Sequence, residues 1–366
     1  MVKLNRDALR IGIALSGGGI RATIFHLGVF KYLAERRLLG RLANISSVSG
    51  ASICVGLIFA FSGNIWPGDA EYLLYTLPDI ESLILTNDIQ FSALCRLPFS
   101  PRYWRNKAGL LSQVLRKKFG ITGVIQDLPD YPYWEINSTT FETGKSFRVR
   151  KDYMGDYTLG YVQRPELPVS DMIAASAGFP VLIGPLKLKS SRYKWSADKY
   201  GALPEAVPPD VHLWDGGVYD NLGLEALHKI GKGLDDEINY LIVSNASGES
   251  GRKTRSVLPS AGNLMRLLNI AMDQVGSLRT RELQAAVISK GLGLYLEIGS
   301  SAEQIANAAK LESSSARRLI DKCLSPADAK FAADYKTTLE SPGRDNYELL
   351  LRHGYEVARC NFEFNA

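Results

Sequence analysis

Three short segments bring together glycines, a serine and an aspartate in settings where those residue types can do chemistry. The first is Ser16-Gly17-Gly18-Gly19-Ile20-Arg21, between a short apolar run and a helical pattern. Successive glycines let backbone N–H groups converge without Cβ interference, at the positive end of the helix that follows. Such a turn can hold a phosphate or the oxyanion of an acyl-transfer intermediate, or be no more than a tight turn. The second is Val48-Ser49-Gly50-Ala51-Ser52-Ile53-Cys54. In the G-x-S-x-G frame of a nucleophile elbow, Gly50, Ala51, Ser52 and Ile53 fill the first positions and Cys54 replaces the last glycine. A serine in that frame sits on a sharp turn that pushes its hydroxyl outward; the plainer reading makes Ser46, Ser47, Ser49 and Ser52 caps and small packing residues. The third is Trp214-Asp215-Gly216-Gly217-Val218-Tyr219-Asp220-Asn221. Asp215 ends a predicted strand and two glycines follow, so its carboxylate would face a loop-lined cleft, although Asp-Gly pairs are also frequent in ordinary turns.

The elements that must position these residues follow from the apolar pattern. Ile11–Leu15 reads as a strand, and Phe25, Leu27, Val29, Phe30 and Leu33 fall at helical spacing, with Gly40 as a stop. Asn44–Ser49 is a second strand, Gly50 breaks it, and Ile53–Phe61 is a buried helix. A strand-helix-strand opening predicts a three-layer α/β/α fold with a mainly parallel sheet. His212–Trp214 and Tyr240–Asn245 are further strands, and Leu222–Ile230, Val257–Ile288 and Ala302–Leu324 read as helices. In the second of these helices, Leu264, Leu267, Leu268 and Ala271 form one apolar face. The polar stretch Lys187–Pro209 reads as a surface loop.

Composition narrows the classes. With 46% hydrophobic residues and a net charge of only +5 over 366 residues, disorder is excluded as the dominant state. Cys54, Cys95, Cys323 and Cys360 form no CxxC pair, which argues against a zinc ribbon or a disulfide scaffold. Only four histidines occur, so no metal cluster and no cofactor is implied. A P-loop is absent, because Gly19 is followed by Ile20-Arg21-Ala22-Thr23 and not by Lys-Ser/Thr. A Ser–His–Asp triad lacks a suitable histidine: His228 lies 13 residues after Asp215 on a predicted helix, His353 is isolated near the end, and His26 is on the first helix. The start of the chain has no signal-peptide pattern, and the apolar run Ile53–Phe61 is shorter than a membrane span, so a cytoplasmic protein is expected. From Ile89 to Gln126 there is no acid but there are seven bases, Arg96, Arg102, Arg105, Lys107, Arg116, Lys117 and Lys118, interleaved with Phe99, Tyr103, Trp104 and Phe119. That stretch reads either as a peripheral contact with an anionic membrane or as a solvated face packed on the core. Nucleic acid is a poorer partner, since 38 acids nearly balance 43 bases.

Taken together, Gly17-Gly18-Gly19-Ile20-Arg21, Gly50-Ala51-Ser52 and Asp215-Gly216-Gly217 resemble the motifs of the patatin-like phospholipases in order and spacing. Leu27-Gly28-Val29-Phe30-Lys31-Tyr32-Leu33, Ile136-Asn137-Ser138-Thr139-Thr140-Phe141 and Ala175-Ser176-Ala177-Gly178-Phe179-Pro180 are similar to further segments of that family. The resemblance covers residues 8–250, leaving 251–366 as a helical C-terminal extension packed on the same domain. It implies a lipid acyl hydrolase of the phospholipase A or lysophospholipase type, with Ser52 as nucleophile and Asp215 as base. It also implies an oxyanion hole from the amides of Gly17, Gly18 and Gly19 with Arg21 nearby, and a phospholipid or other acyl-lipid substrate. The alternatives are a catalytically silent lipid-binding or interaction protein of the same fold and a Ser–His–Asp esterase.

Overall fold

The structure, a computed structural model, describes residues 9–96, 106–180, 183–196, 207–248, 261–311 and 314–365. Strand β1 (Ile11–Leu15) is buried along its whole length, as a central strand covered by helices on both faces must be. The glycine turn carries it into α1 (Gly19–Glu35), and β2 (Leu42–Val48) turns through Ser49 into α2 (Gly50–Phe61). The remaining strands of the sheet are β3 (Tyr133–Thr140), β4 (Ser146–Val149), β5 (Tyr153–Asp156), β6 (Gly160–Gln163), β7 (Leu186–Lys189), β8 (Trp195–Ser196), β9 (Asp210–Asp215), β10 (Tyr240–Asn245) and β11 (Gly293–Glu297). The other helices that matter here are α3 (Lys107–Lys118), α4 (Val169–Ser176), α5 (Ala261–Ala286) and α6 (Arg344–Asn365).

Strand order along the sheet is β11-β10-β1-β2-β3-β4-β5-β6-β8, with β9 paired to both β3 and β7. The five strands from β11 to β3 are parallel, joined by helical crossovers, and this half carries the glycine turn. Beyond β3 every pairing is antiparallel, so the mainly parallel sheet expected from the sequence is its core half. The α/β architecture itself is as expected.

Helix α6 seats the C-terminal region on the site-bearing helix. Gly28 of α1 lies against the Leu351 carbonyl and Gly354 of α6 lies against the Phe25 carbonyl, so close that a Cβ at either would sit 2.0 Å from that oxygen. His353, next to this contact, accepts a hydrogen bond from the Gly299 N–H at 2.8 Å. The C-terminal region is not purely helical, because β11 adds a fifth parallel strand to the sheet edge.

Several local expectations change. Leu222–Ile230 is not a helix: a short 3-10 turn at Leu224–Ala226 leads into a hairpin pairing His228–Lys229 with Gly233–Leu234. The expected loop Lys187–Pro209 contains β7 and β8, with residues 197–206 outside the described set. The helix expected at Ala302–Leu324 is two shorter ones, Ala302–Ala308 and Ser314–Ile320. On α5, Leu264 and Leu267 do not pack inward; they are 63% and 64% exposed. On α3, Leu110, Leu111, Val114 and Leu115 are buried and Arg116, Lys117 and Lys118 are exposed, which is the solvated-face arrangement. Phe99, Arg102, Tyr103, Trp104 and Arg105 lie outside the described residues. Among the described residues no helix is long and apolar enough to cross a membrane.

Candidate active site

Strand register brings the site together. Val48, the last residue of β2, sits opposite Asn137 of β3, and Asp215, the last residue of β9, sits opposite Ser138. Strands β2 and β9 therefore run toward each other along the same edge of β3. The residue that leaves β2 emerges beside the carboxylate that ends β9. That residue is Ser49.

Ser49 has φ 54° and ψ −118°, a backbone conformation that a non-glycine residue adopts only under constraint, at a cost of about 1–3 kcal/mol. The constraint is visible. Its N–H donates to Ser176 Oγ at 2.9 Å, and its carbonyl accepts from the N–H groups of Ser52 and Ile53 at 2.9 and 3.2 Å as α2 begins. Gly50 lets this turn approach the glycine loop, since a Cβ there would lie 2.1 Å from the Gly19 carbonyl oxygen. The Ser49 side chain caps no backbone group of α2 and is half-buried at the mouth of the turn.

Ser52, the nucleophile expected from the sequence, is placed differently. It lies inside the first turn of α2, fully buried, and its hydroxyl pairs with Ser47 Oγ and Ser176 Oγ, each at 2.9 Å. Ser47 Oγ in turn accepts from the Trp134 indole at 2.8 Å. The Ser52 hydroxyl is thus enclosed in a network that braces the elbow from behind. The expected frame Gly50-Ala51-Ser52-Ile53 is helix, and the sharp turn falls three residues earlier. Shifted to that position, the frame reads Ser47-Val48-Ser49-Gly50-Ala51, with serine and alanine in place of the two glycines. The signal available in the sequence was the strand end itself, because Gly50 breaks the strand immediately after Ser49.

Asp215 is where the sequence suggested, buried at the end of its strand. One carboxylate oxygen accepts from the Gly217 N–H at 2.8 Å. Burial pushes the carboxyl up to about 7, against the opposing pull of the Gly217 N–H and the Ser49 side chain. The second glycine of the pair has no room for a side chain: a Cβ at Gly217 would meet Asn221 Oδ1 at 2.6 Å and Asp215 Oδ1 at 3.1 Å. Asn221 also ties the aspartate loop to the glycine loop, its carbonyl accepting from the Gly17 N–H at 3.1 Å.

The glycine loop faces Ser49 from the other side, with Gly17 so near that a Cβ would lie 3.1 Å from Ser49 Cβ. Gly18 and Gly19 have φ of 148° and 63°, which leaves their N–H groups without a hydrogen-bond partner among the described residues. The Gly17 N–H is committed to Asn221 and the Ile20 N–H to the Thr338 carbonyl at 2.8 Å. The glycine loop thus keeps two free donors, beside the point where α2 begins. Arg21 stands beside this loop, its Nη2 3.4 Å from a Cβ position on Gly18. Its guanidinium is buried and bonds the carbonyls of Ala246, Ala333 and Tyr335, fastening the loop to the C-terminal region.

No histidine reaches the pair. His26 is held between Ser244 Oγ and the Ser16 carbonyl at 3.0 Å each, His212 pairs with Glu142, His228 lies 3.3 Å from Glu282, and His353 accepts from Gly299.

The family model of the Patatin-like phospholipase matches residues 13–228, more than half of the chain, and the chain belongs to that family. Among solved structures it is similar to the human GIVD cytosolic phospholipase A2, with a TM-score of 0.53 at 13% identity, over 97% of this chain and 61% of that one. The same human enzyme in complex with methyl gamma-linolenyl fluorophosphonate gives a TM-score of 0.51 at 13% identity, over 97% of this chain and 57% of that one. At that identity the likeness is one of fold, and the chain spans about three fifths of the length of those structures. No curated sequence matches the chain.

Proposed function

We propose that this protein is a lipid acyl hydrolase that cleaves fatty acyl esters through a Ser49–Asp215 dyad. The observation that carries the proposal is the strained Ser49 at the strand–helix turn, set beside a buried aspartate and two free amides. Membership of a phospholipase family supports the reaction class. Serine is a weak nucleophile until a base removes its proton. An aspartate of ordinary pKa near 3.9 would be a poor base, and burial of Asp215 brings it to about 7, close to the value best suited to general-base catalysis at neutral pH.

In the proposed sequence Ser49 Oγ attacks the ester carbonyl carbon as its proton passes to Asp215. The oxyanion that forms is held by the N–H groups of Gly18 and Gly19, each donor contributing about 3–4 kcal/mol by analogy with measured oxyanion holes. Asp215 returns the proton to the departing alcohol, leaving an acyl-Ser49. Water then repeats the cycle with Asp215 again as base, releasing the fatty acid and free enzyme. Met272 of α5, whose methyl group lies 3.1 Å from a Cβ position on Gly217, offers the acyl chain an apolar contact beside the site.

The test is release of fatty acid from phosphatidylcholine vesicles. The wild-type protein is expected to release it, and Ser49→Ala and Asp215→Asn are each expected to abolish release. Undiminished release by Ser49→Ala would remove the dyad from the account.

A further inference from the structure

A groove of about 1100 Å³ lies elsewhere, and its lining includes neither Ser49, Asp215 nor the glycine loop. One wall is β7 and the turn after it, the other is the segment that follows β6. Alternation along β7 buries Leu186 and Leu188 and turns Lys187 and Lys189 to the same exposed face. Arg192 and Lys194 continue that wall, and Arg164 stands on the opposite one. Lys187 is neutralised by Asp210. Arg164, Lys189, Arg192 and Lys194 share one concavity, and of these Lys189 faces Asp210, the acid that already pairs with Lys187. The lining holds two carboxylates, Glu166 and Asp171, the latter accepting the Ser112 hydroxyl, so its five lysines and arginines outnumber its acids five to two.

The backbone at Arg164 reinforces the pattern. It has φ 46°, a left-handed conformation immediately before Pro165, and is held by its N–H bond to the Asp152 carbonyl at 2.8 Å. A residue with a side chain takes such a conformation at a cost, and here the cost places a cation on the wall of the groove.

We propose that this groove binds a ligand carrying several phosphate groups. Lys189 shares the field of Asp210 with Lys187, so the groove keeps a surplus of positive charge, and an anion relieves the repulsion among its cations while gaining charge-assisted hydrogen bonds. Two of the cations are arginines, whose planar forks suit phosphate oxygens, and the others are lysines, which bind phosphate as point charges. The volume slightly exceeds that of an ordinary small-molecule pocket, which leaves room for a compound with several phosphates. The same chemistry is presented by a polyphosphorylated lipid headgroup and by a soluble polyphosphate. This site is independent of the hydrolase proposal.

The experiment is calorimetric titration of the full chain with inorganic tripolyphosphate, at low and at raised salt. Saturable, salt-weakened binding is expected, and K189A/R192A/K194A is expected to lose about tenfold or more in affinity. The control R116A/K117A, two exposed bases of α3 outside the groove, is expected to bind as the wild type does. Acetylation footprinting of the wild-type protein supplies a readout that does not depend on the folding of a variant: tripolyphosphate should protect Lys189 and Lys194 and leave Lys117 reactive. Vesicles of phosphatidylcholine with and without phosphatidylinositol bisphosphate separate the sources. Binding that requires the charged lipid and is lost in the triple variant assigns a headgroup; tripolyphosphate binding without vesicle binding assigns a soluble ligand. Absence of saturable tripolyphosphate binding, equal loss in both variants, or no protection of Lys189 and Lys194 would overturn the proposal.

Discussion

Replacing Asp215 with asparagine should inactivate the protein and make it more stable, and the size of the gain should depend on pH. The side chain is buried, and its carboxyl lies at about 7 where 3.8 is the ordinary value. A raised carboxyl favours the folded state when protonated. Its contribution is complete below the unfolded value of 3.8 and is lost as pH rises through about 7. The whole interval corresponds to about 4 kcal/mol, of which about 2.7 kcal/mol falls between pH 5 and pH 8. Asparagine mimics the protonated form at every pH, keeping the acceptor for the Gly217 N–H. The variant should therefore exceed the wild type by roughly 2–3 kcal/mol more at pH 8 than at pH 5. The wild-type curve alone does not isolate this effect. Burial lowers His26 and His353 to about 4, so each destabilises the fold as pH falls through the unfolded histidine value of 6.5. Both proteins keep those histidines, and the difference between them cancels the contribution. Urea denaturation of the two proteins at pH 5, 6.5 and 8 makes the measurement. A stability difference that is constant across that range would mean that Asp215 titrates near its ordinary value, and the argument for it as a base at neutral pH would collapse.

Three further substitutions separate the roles assigned to neighbouring residues. Ser52→Ala should keep fluorophosphonate reactivity and lose about 1–3 kcal/mol in urea denaturation, because it removes the hydroxyl between Ser47 and Ser176 without touching Ser49. Gly50→Ala should cost about 1–3 kcal/mol and reduce kcat about a hundredfold, since its methyl group would collide with the Gly19 carbonyl and displace the two loops from each other. Arg21→Met should act on stability, by about 1–3 kcal/mol for each of the three carbonyls left without a donor, as read by thermal and urea unfolding; a collapse of kcat with unchanged stability would instead put its guanidinium at the oxyanion.

Much of this molecule could be read from residue types. The apolar runs and glycine stops of the first sixty residues define β1, α1, β2 and α2 because a strand buried on both faces and the helix that follows carry their signals locally. The glycine loop and Asp215 were visible for the same reason, as short-range patterns at strand ends. The choice between Ser49 and Ser52 was harder. Both lie among small residues, both fit a degenerate elbow, and only the backbone conformation at Ser49 and the enclosure of the Ser52 hydroxyl distinguish them. The fastening role of Arg21 was hidden because its partners Ala246, Ala333 and Tyr335 are more than two hundred residues away and are backbone atoms, which leave no trace in side-chain chemistry. Strand β7 was hidden in a polar stretch, since four alternating residues, Leu-Lys-Leu-Lys, give little periodicity to detect. The helical face of Leu264 and Leu267 had the expected period but stands exposed, because a periodic pattern shows that a face is apolar and not what covers it.

The central claim is that Ser49 is the activated nucleophile. The most direct measurement is labelling with a fluorophosphonate probe, followed by mass spectrometric location of the adduct in the wild type, Ser49→Ala and Ser52→Ala. The account predicts an adduct on Ser49 that persists in Ser52→Ala and is absent from Ser49→Ala. An adduct on Ser52, or labelling undiminished in Ser49→Ala, would contradict it.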